Sequence, residues 1–89
     1  MIKLRHATHV RDYVIRLEFS DESWGEYDAA PLVRRDAPMV QALKDPAFFR
    51  RFFIDEGALA WPNGFDLSPE ALHRRLAEQR LLQRPKAAE

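Results

Sequence analysis

Cysteine is absent from this chain of 89 residues, which excludes disulfides, a thiolate nucleophile and cysteine-ligated metal. A net charge is also lacking, because 14 basic residues balance 14 acidic ones. No whole-chain field therefore attracts nucleic acid or an anionic membrane. The N-terminus is charged from Lys3 onwards and lacks the apolar core of about 7 to 15 residues that a secretory signal needs. We expect a cytoplasmic protein without membrane contact.

The length leaves room for one hydrophobic core, since domains usually contain roughly 100 to 200 residues. The composition is 46% hydrophobic and 31% charged, which is typical of a globular chain and not of a disordered one. We expect one domain over residues 1–83. Residues 84–89 have no apolar periodicity, so we predict a flexible C-terminal tail there.

Strand patterns dominate the first third of the chain. Apolar residues alternate with polar ones over residues 13–19, as in a half-buried strand. A polar turn follows at residues 20–23, and residues 24–28 run back as the next strand. With a further strand over residues 3–10, we predict an N-terminal three-stranded meander. Gly57 separates two apolar runs and predicts a short second hairpin.

Helix signals follow in the remaining two thirds. Asp45 before Pro46 and Ser68 before Pro69 are typical of an N-cap followed by proline in the first turn. We predict a single helical turn at Met39, Val40 and Leu43, a short helix from Pro46 through Phe52 and a final helix over residues 69–82. The predicted class is α+β, with short helices and a C-terminal helix packed on a small antiparallel sheet.

Two runs of the sequence carry a family resemblance, namely residues 43–49 (LKDPAFF) and residues 61–72 (WPNGFDLSPEAL). Together with residues 19–21 and 27–32 they resemble DUF2442, a bacterial family of small α+β domains of unknown function. The resemblance implies relatives that stand alone or carry a helix-turn-helix segment, some of them encoded beside small toxin-like partners. Glu22 departs from the family pattern, in which a turn glycine is common here. Too few residues follow Leu82 for an appended DNA-binding domain.

The sequence offers no basis for an enzyme, a metal site or a cofactor. His6 and His9 lie three residues apart on a predicted strand, so they point to opposite faces and cannot chelate one ion. The carboxylate pairs at residues 21–22 and 55–56 fall in predicted solvated turns, where nothing tunes a pKa for acid-base work. No nucleophile motif is present.

The loop at residues 61–68 is the most distinctive candidate site. Backbone donors at the start of the following helix could hold an anion or a partner's carboxylate. A structural role is the favoured alternative, since the same residues can anchor the core, make the turn and cap the helix. The candidate partner or anion contacts are Trp61, Asn63, Gly64, Asp66 and Ser68.

Basic residues form three doublets, at 34–35, 50–51 and 74–75. Residues 73–89 carry five cations against two carboxylates, so the C-terminal end is locally basic. The phenylalanines around residues 50–51 recur at helical spacing, which favours a core role over base stacking. The candidate phosphate contacts are Arg74, Arg75, Arg80 and Arg84.

The functional hypothesis that follows is a non-enzymatic protein-interaction or regulatory module, with an antitoxin-like role implied by the resemblance alone. A small open sheet has edge strands with unpaired backbone groups. We therefore expect a protein partner or a second copy to pair with a sheet edge. The alternative is a nucleic-acid-associated regulator that uses the basic C-terminal helix, and its binding would weaken steeply with salt.

Overall fold

The computed structural model describes residues 1–85, and the predicted tail residues 86–89 lie outside the described residues. Two three-stranded antiparallel sheets, short helices and a C-terminal helix make up this part of the chain. The predicted α+β class is confirmed. Its elements are β1 (Leu4–Arg11), β2 (Val14–Phe19), β3 (Trp24–Asp28), α1 (Ala30–Val33), α2 (Pro38–Gln41), α3 (Pro46–Phe49), β4 (Phe53–Asp55), β5 (Ala58–Ala60), β6 (Asp66–Leu67) and α4 (Pro69–Glu78).

The first sheet is the predicted meander, in the order β1-β2-β3. Ile15, Leu17 and Phe19 on β2 are fully buried, whereas Arg16 and Glu18 between them are only partly buried. The period of two therefore separates a core face from an outer face, as predicted. Glu22 in the β2–β3 turn has a φ of 71°, a left-handed conformation that favours glycine.

The second sheet has the order β4-β5-β6. Its first two strands form the predicted hairpin, and the turn between them has positive φ at both Glu56 and Gly57. Two such residues match the type I′ turn that suits a tight hairpin. The third strand, β6, pairs Leu67 with Leu59 and Asp66 with Ala60. This two-residue strand was not predicted.

The connection between the sheets contains the two predicted short helices, α2 and α3, and a third, α1, that the sequence does not predict. Helix α1 begins directly after β3, where the Asp28 carboxylate accepts a hydrogen bond from the Ala30 amide at 2.9 Å. Helix α2 continues as a 3-10 turn over Ala42–Lys44. Helix α3 has the predicted cap, because Asp45 accepts from the Ala47 amide. It ends at Phe49, so the predicted extension through Phe52 is wrong: the chain turns there to enter β4.

Helix α4 begins at the predicted cap and ends earlier than predicted. The Ser68 hydroxyl accepts a hydrogen bond from the Ala71 amide. At the other end, the Leu81 amide donates to the Leu76 carbonyl at 2.9 Å and the Arg80 amide donates to the Ala77 carbonyl at 3.0 Å. These two bonds form a Schellman motif with a left-handed residue at its centre. Arg80 supplies that residue with a φ of 59°.

An aromatic cluster fills the core between the two sheets. Trp61 is 1% exposed, and its ring lies 5.8 Å from the rings of both Phe49 and Phe65. Phe49 packs edge-on against Tyr13 at 4.9 Å, which joins α3 to the turn between β1 and β2. The Tyr13 hydroxyl donates to the Lys44 carbonyl. Offset and edge-to-face pairs of this kind add about 0.5 to 1.5 kcal/mol each beyond their buried area.

Residues 81–85, here called the C-terminal segment, lie along the outer edge of β3. Trp24 and Gln83 exchange two backbone hydrogen bonds, at 2.9 and 2.6 Å. Gly25 permits this approach, because a side chain there would place its Cβ 2.8 Å from the Leu81 carbonyl oxygen. The segment thus covers part of an edge that would otherwise have unpaired backbone groups. Within residues 1–85, no helix has the length and apolar character needed to cross a bilayer.

Candidate functional site

The predicted contact residues of the 61–68 loop make many of their polar interactions inside the domain. The buried Trp61 ring donates from Nε1 to the Phe49 carbonyl at 2.8 Å. Asn63 accepts from the Phe65 amide and donates to the Met39 carbonyl, both at 3.1 Å. Gly64 has a φ of 93°, which a side chain would strain. These bonds hold the loop against α2 and the core.

The last two residues of this candidate set lie at the junction of β6 and α4. Ser68 is the N-cap of α4, and its hydroxyl also lies 3.2 Å from the Glu70 carboxylate. Asp66 is exposed on β6. The two residues are on the surface, but the Ser68 hydroxyl already satisfies one backbone donor of the helix.

A groove lies between α4 and the residues that follow β3, and we call it the arginine groove. Its volume is about 290 Å³, just below the roughly 300 to 1,000 Å³ of typical ligand sites. Apolar side chains from α1, β6 and α4 contribute to its lining: Pro31, Leu32, Leu67, Ala71 and Leu72. Tyr27 and Asp28 come from β3, and Glu78 from the last turn of α4.

The arginine groove brings two of the predicted basic doublets together. Arg74 and Arg75 line it from α4, and Arg35 lines it from the opposite side. Within residues 1–85, no carboxylate forms an ion pair with any of these three guanidiniums. They therefore retain donors for an external anion.

Tyr27 is the titrating group at the centre of the arginine groove. Burial raises the pKa of its phenol above the usual value, while the positive charges of Arg75 and Arg35 oppose the shift in part. The negative charge of Asp28 adds a smaller upward contribution. The phenol is therefore protonated at neutral pH and available as a hydrogen-bond donor. Sequence reasoning missed Tyr27, because only the fold places it beside Arg35 and Arg75.

The other two predicted phosphate contacts have different surroundings. Arg84 lies in the C-terminal segment, and its guanidinium is 3.3 Å from the Asp21 carboxylate. Arg80 closes the Schellman motif of α4. Neither residue lines the arginine groove. The structure thus groups Arg74 and Arg75 with Arg35 instead of with Arg80 and Arg84.

We expect Arg80→Gly to stabilise the domain by about 0.5 to 1 kcal/mol. A left-handed conformation costs a non-glycine residue roughly 1 to 2 kcal/mol, whereas glycine adopts it without strain at a smaller entropic cost. Urea unfolding of the variant, compared with Arg80→Lys, measures the difference. A destabilised glycine variant would show that the Arg80 side chain contributes more than its backbone strain costs.

Asp21 lies in an exposed turn, as predicted, but the expectation that nothing there tunes a pKa is wrong. Both the amide and the buried hydroxyl of Ser23 donate to its carboxylate. The His73 ring on α4 contacts its other oxygen at 3.0 Å. Burial alone would raise the pKa of Asp21, but the bonds from Ser23 and His73, with the charge of His73, hold it well below its usual range. An aspartate two residues before a serine is the sequence signal for the local part of this cluster.

The three histidines have different surroundings. His6 and His9 lie on β1, and the His9 ring contacts the Asp12 carbonyl at 2.9 Å. His73 contacts Asp21 and packs edge-on against Phe19 at 5.0 Å. Residues 1–85 contain no group of three or more histidines and carboxylates that could hold a metal ion.

Fold and site together define a small α+β domain with two antiparallel meanders and a basic groove beside its C-terminal helix. The chain belongs to the family described as "Protein of unknown function (DUF2442)", whose model matches residues 4–78. Neither the curated proteins nor the solved structures include a match to the chain. The family membership expected from residues 43–49 and 61–72 is thereby confirmed.

Proposed function

We propose that this domain is a non-enzymatic protein-interaction module with a regulatory, antitoxin-like role, and that its partner docks on the arginine groove. The observation that carries the proposal is the pairing of an apolar floor with three guanidiniums that have no carboxylate partner within residues 1–85. Interfaces are enriched in arginine and tyrosine around an apolar centre. The antitoxin-like part rests on the family resemblance.

A sheet edge is a weaker candidate for the docking surface. The order of the first sheet leaves β1 and β3 as its edges. The edge of β3 is covered at Trp24 by the C-terminal segment, and the start of β1 is bonded through the Leu4 amide to the Gly57 carbonyl at 2.9 Å. In this sheet a partner strand would have to pair with the uncovered part of β1 or of β3, or displace the C-terminal segment.

The charge distribution supports a protein partner over a nucleic acid. A phosphate backbone is bound by several cations along one track. In this domain Arg84 is engaged by Asp21, and Asp28 and Glu78 lie at the arginine groove itself. A polyanion would meet those two carboxylates. A protein partner can present a single acidic group together with apolar side chains.

Charge reversal in the arginine groove provides the test. We expect the wild-type domain, tagged and expressed in its native cell, to capture a stoichiometric protein partner at low salt that survives nuclease treatment. Arg74→Glu with Arg75→Glu should abolish the capture, because two groove cations become anions. Mass spectrometry of the eluates identifies and quantifies the partner.

The matched control is Arg50→Glu with Arg51→Glu. It makes the same change of net charge at the end of α3, at residues that do not line the arginine groove. We expect it to retain the partner. Loss of capture in both variants would show a general charge effect, and recovery of nucleic acid alone would overturn the proposal.

A further inference from the structure

The chemistry of the arginine groove also indicates what it recognises, if it is the docking site proposed above. Several elements contribute to its apolar floor and to its charged groups. Leu32 comes from α1, Leu67 from β6 and Leu72 from α4, and they supply apolar surface. Arg35 and Arg75 both lie close enough to Tyr27 to influence its phenol. An oxyanion donor set therefore stands beside an apolar surface.

We propose that the arginine groove binds a partner segment in which an apolar side chain stands next to a carboxylate. The apolar side chain packs on Leu32, Leu67 and Leu72. The carboxylate accepts hydrogen bonds from the guanidiniums of Arg35 and Arg75 and from the Tyr27 hydroxyl.

A carboxylate of a peptide fits these groups better than a phosphate of a nucleic acid backbone. Guanidinium forms paired, charge-assisted hydrogen bonds with a carboxylate, and these are strongest where water is partly excluded. The small volume of about 290 Å³ accommodates a few side chains. Asp28 and Glu78 line the same groove and would repel the phosphates that flank any bound nucleotide. A single acidic side chain can avoid them.

The test uses the full chain as bait for a library of short random peptides displayed on phage. We expect selection to enrich peptides that combine an apolar residue with aspartate or glutamate within the same short motif. The most strongly enriched peptide is then synthesised together with its amide analogue, in which the acidic residue becomes asparagine or glutamine. Calorimetry compares the affinities of the two peptides for the domain. The amide analogue should bind about tenfold more weakly or worse, as the loss of a charge-assisted hydrogen bond requires.

Domain variants locate the binding within the arginine groove. Arg35→Gln, Arg75→Gln and Tyr27→Phe each remove one proposed contact from a group that lines the groove. The two arginine variants should bind the enriched peptide about tenfold more weakly, and Tyr27→Phe should lower the affinity by a smaller factor. Arg51→Gln near Phe48 is the control and should leave the affinity unchanged. Circular dichroism checks that each variant is folded.

Each alternative outcome has a defined meaning. Enriched peptides without acidic residues, equal affinity of the amide analogue, or binding unaffected by Arg35→Gln and Arg75→Gln would overturn the carboxylate proposal. A selection that enriches no motif would do the same. If the native partner is still captured through Arg74 and Arg75 in any of these cases, the proposed function stands and only the ligand chemistry is wrong. If the native cell yields no protein partner, the proposed function fails independently of the peptide result.

Discussion

Trp61→Ala is expected to cause the largest loss of stability among the variants proposed. Removing a buried tryptophan costs about 3 to 5 kcal/mol, and a domain of 89 residues has a total stability of only about 4 to 13 kcal/mol. Trp61 is 1% exposed and packs on Phe49, Phe52 and Phe65. The substitution also leaves the Phe49 carbonyl without its indole donor. Far-ultraviolet circular dichroism against urea measures the loss.

Trp24→Ala is the matched control for this prediction. Trp24 lies on the outer face of the first sheet, where the Arg16 guanidinium sits 4.0 Å from its ring. Its backbone bonds to Gln83 do not depend on the side chain. We expect a loss of about 1 kcal/mol and a folded protein. A Trp61→Ala variant that keeps the stability of the wild type but fails to bind its partner would instead show that the 61–68 loop is itself the recognition surface.

The strands and helix starts were predictable because their signals are local. Alternation over residues 13–19 places apolar side chains on one face at every second residue. Asp45 and Ser68 cap their helices through bonds that span only two or three residues. Such patterns do not depend on the rest of the fold, so the sequence alone is sufficient to identify them.

The end of α4 was not predictable, because the residue that ends it is not the usual one. A Schellman motif normally has glycine at its left-handed position, and here the position is Arg80. Leu81 and Leu82 also continue the apolar pattern of the helix. Only the packing of Leu82 on the core and the pairing of Gln83 with Trp24 show that the chain has left the helix.

The basic residues of the arginine groove were predictable from the sequence, but their assembly into one site was not. The doublets at residues 34–35 and 74–75 are visible in the sequence, but about 40 residues separate them. They meet only because α4 packs on β3 and α1 begins immediately after β3. In the sequence, nothing distinguishes Tyr27 from other strand residues. In the fold, it lines the same groove as Arg35 and Arg75, whose charges act on its phenol. Long-range contacts of this kind leave no local pattern.

Asp21→Ala is expected to produce the second largest loss of stability, about 2 to 3 kcal/mol at neutral pH. A hydrogen bond to a charged group contributes about 1.5 to 3 kcal/mol, and the Asp21 carboxylate receives several while its side chain is 28% exposed. The substitution also removes the acceptor of the Ser23 hydroxyl, which is 1% exposed. Asp55→Ala, at an exposed strand position, should change stability by less than about 0.5 kcal/mol.

The pH dependence separates the charge of Asp21 from its hydrogen-bonding geometry. Its pKa in the folded protein is lowered, so its contribution is complete above the usual aspartate pKa of about 4 and is lost as the pH falls below that value. Asp21→Asn keeps an acceptor but cannot titrate. We therefore expect the stability gap between wild type and Asp21→Asn to be largest at neutral pH and to narrow steadily in acid, measured by urea unfolding.

A stability gap between wild type and Asp21→Asn that stays constant down to strongly acidic pH would mean that the charge of the Asp21 carboxylate does not stabilise the fold. Only its hydrogen-bonding geometry would then matter. The bonds from Ser23 would then account for its role, because they do not need an ionised acceptor. A narrowing gap would instead show that the ionised carboxylate is preferred, through the bonds from Ser23 or the contact with His73 on α4. His73→Gln distinguishes between these two. If the contact between His73 and Asp21 lowers the pKa of the carboxyl, His73→Gln should reduce the narrowing of the stability gap in acid. Arg84→Gln should leave that narrowing unchanged.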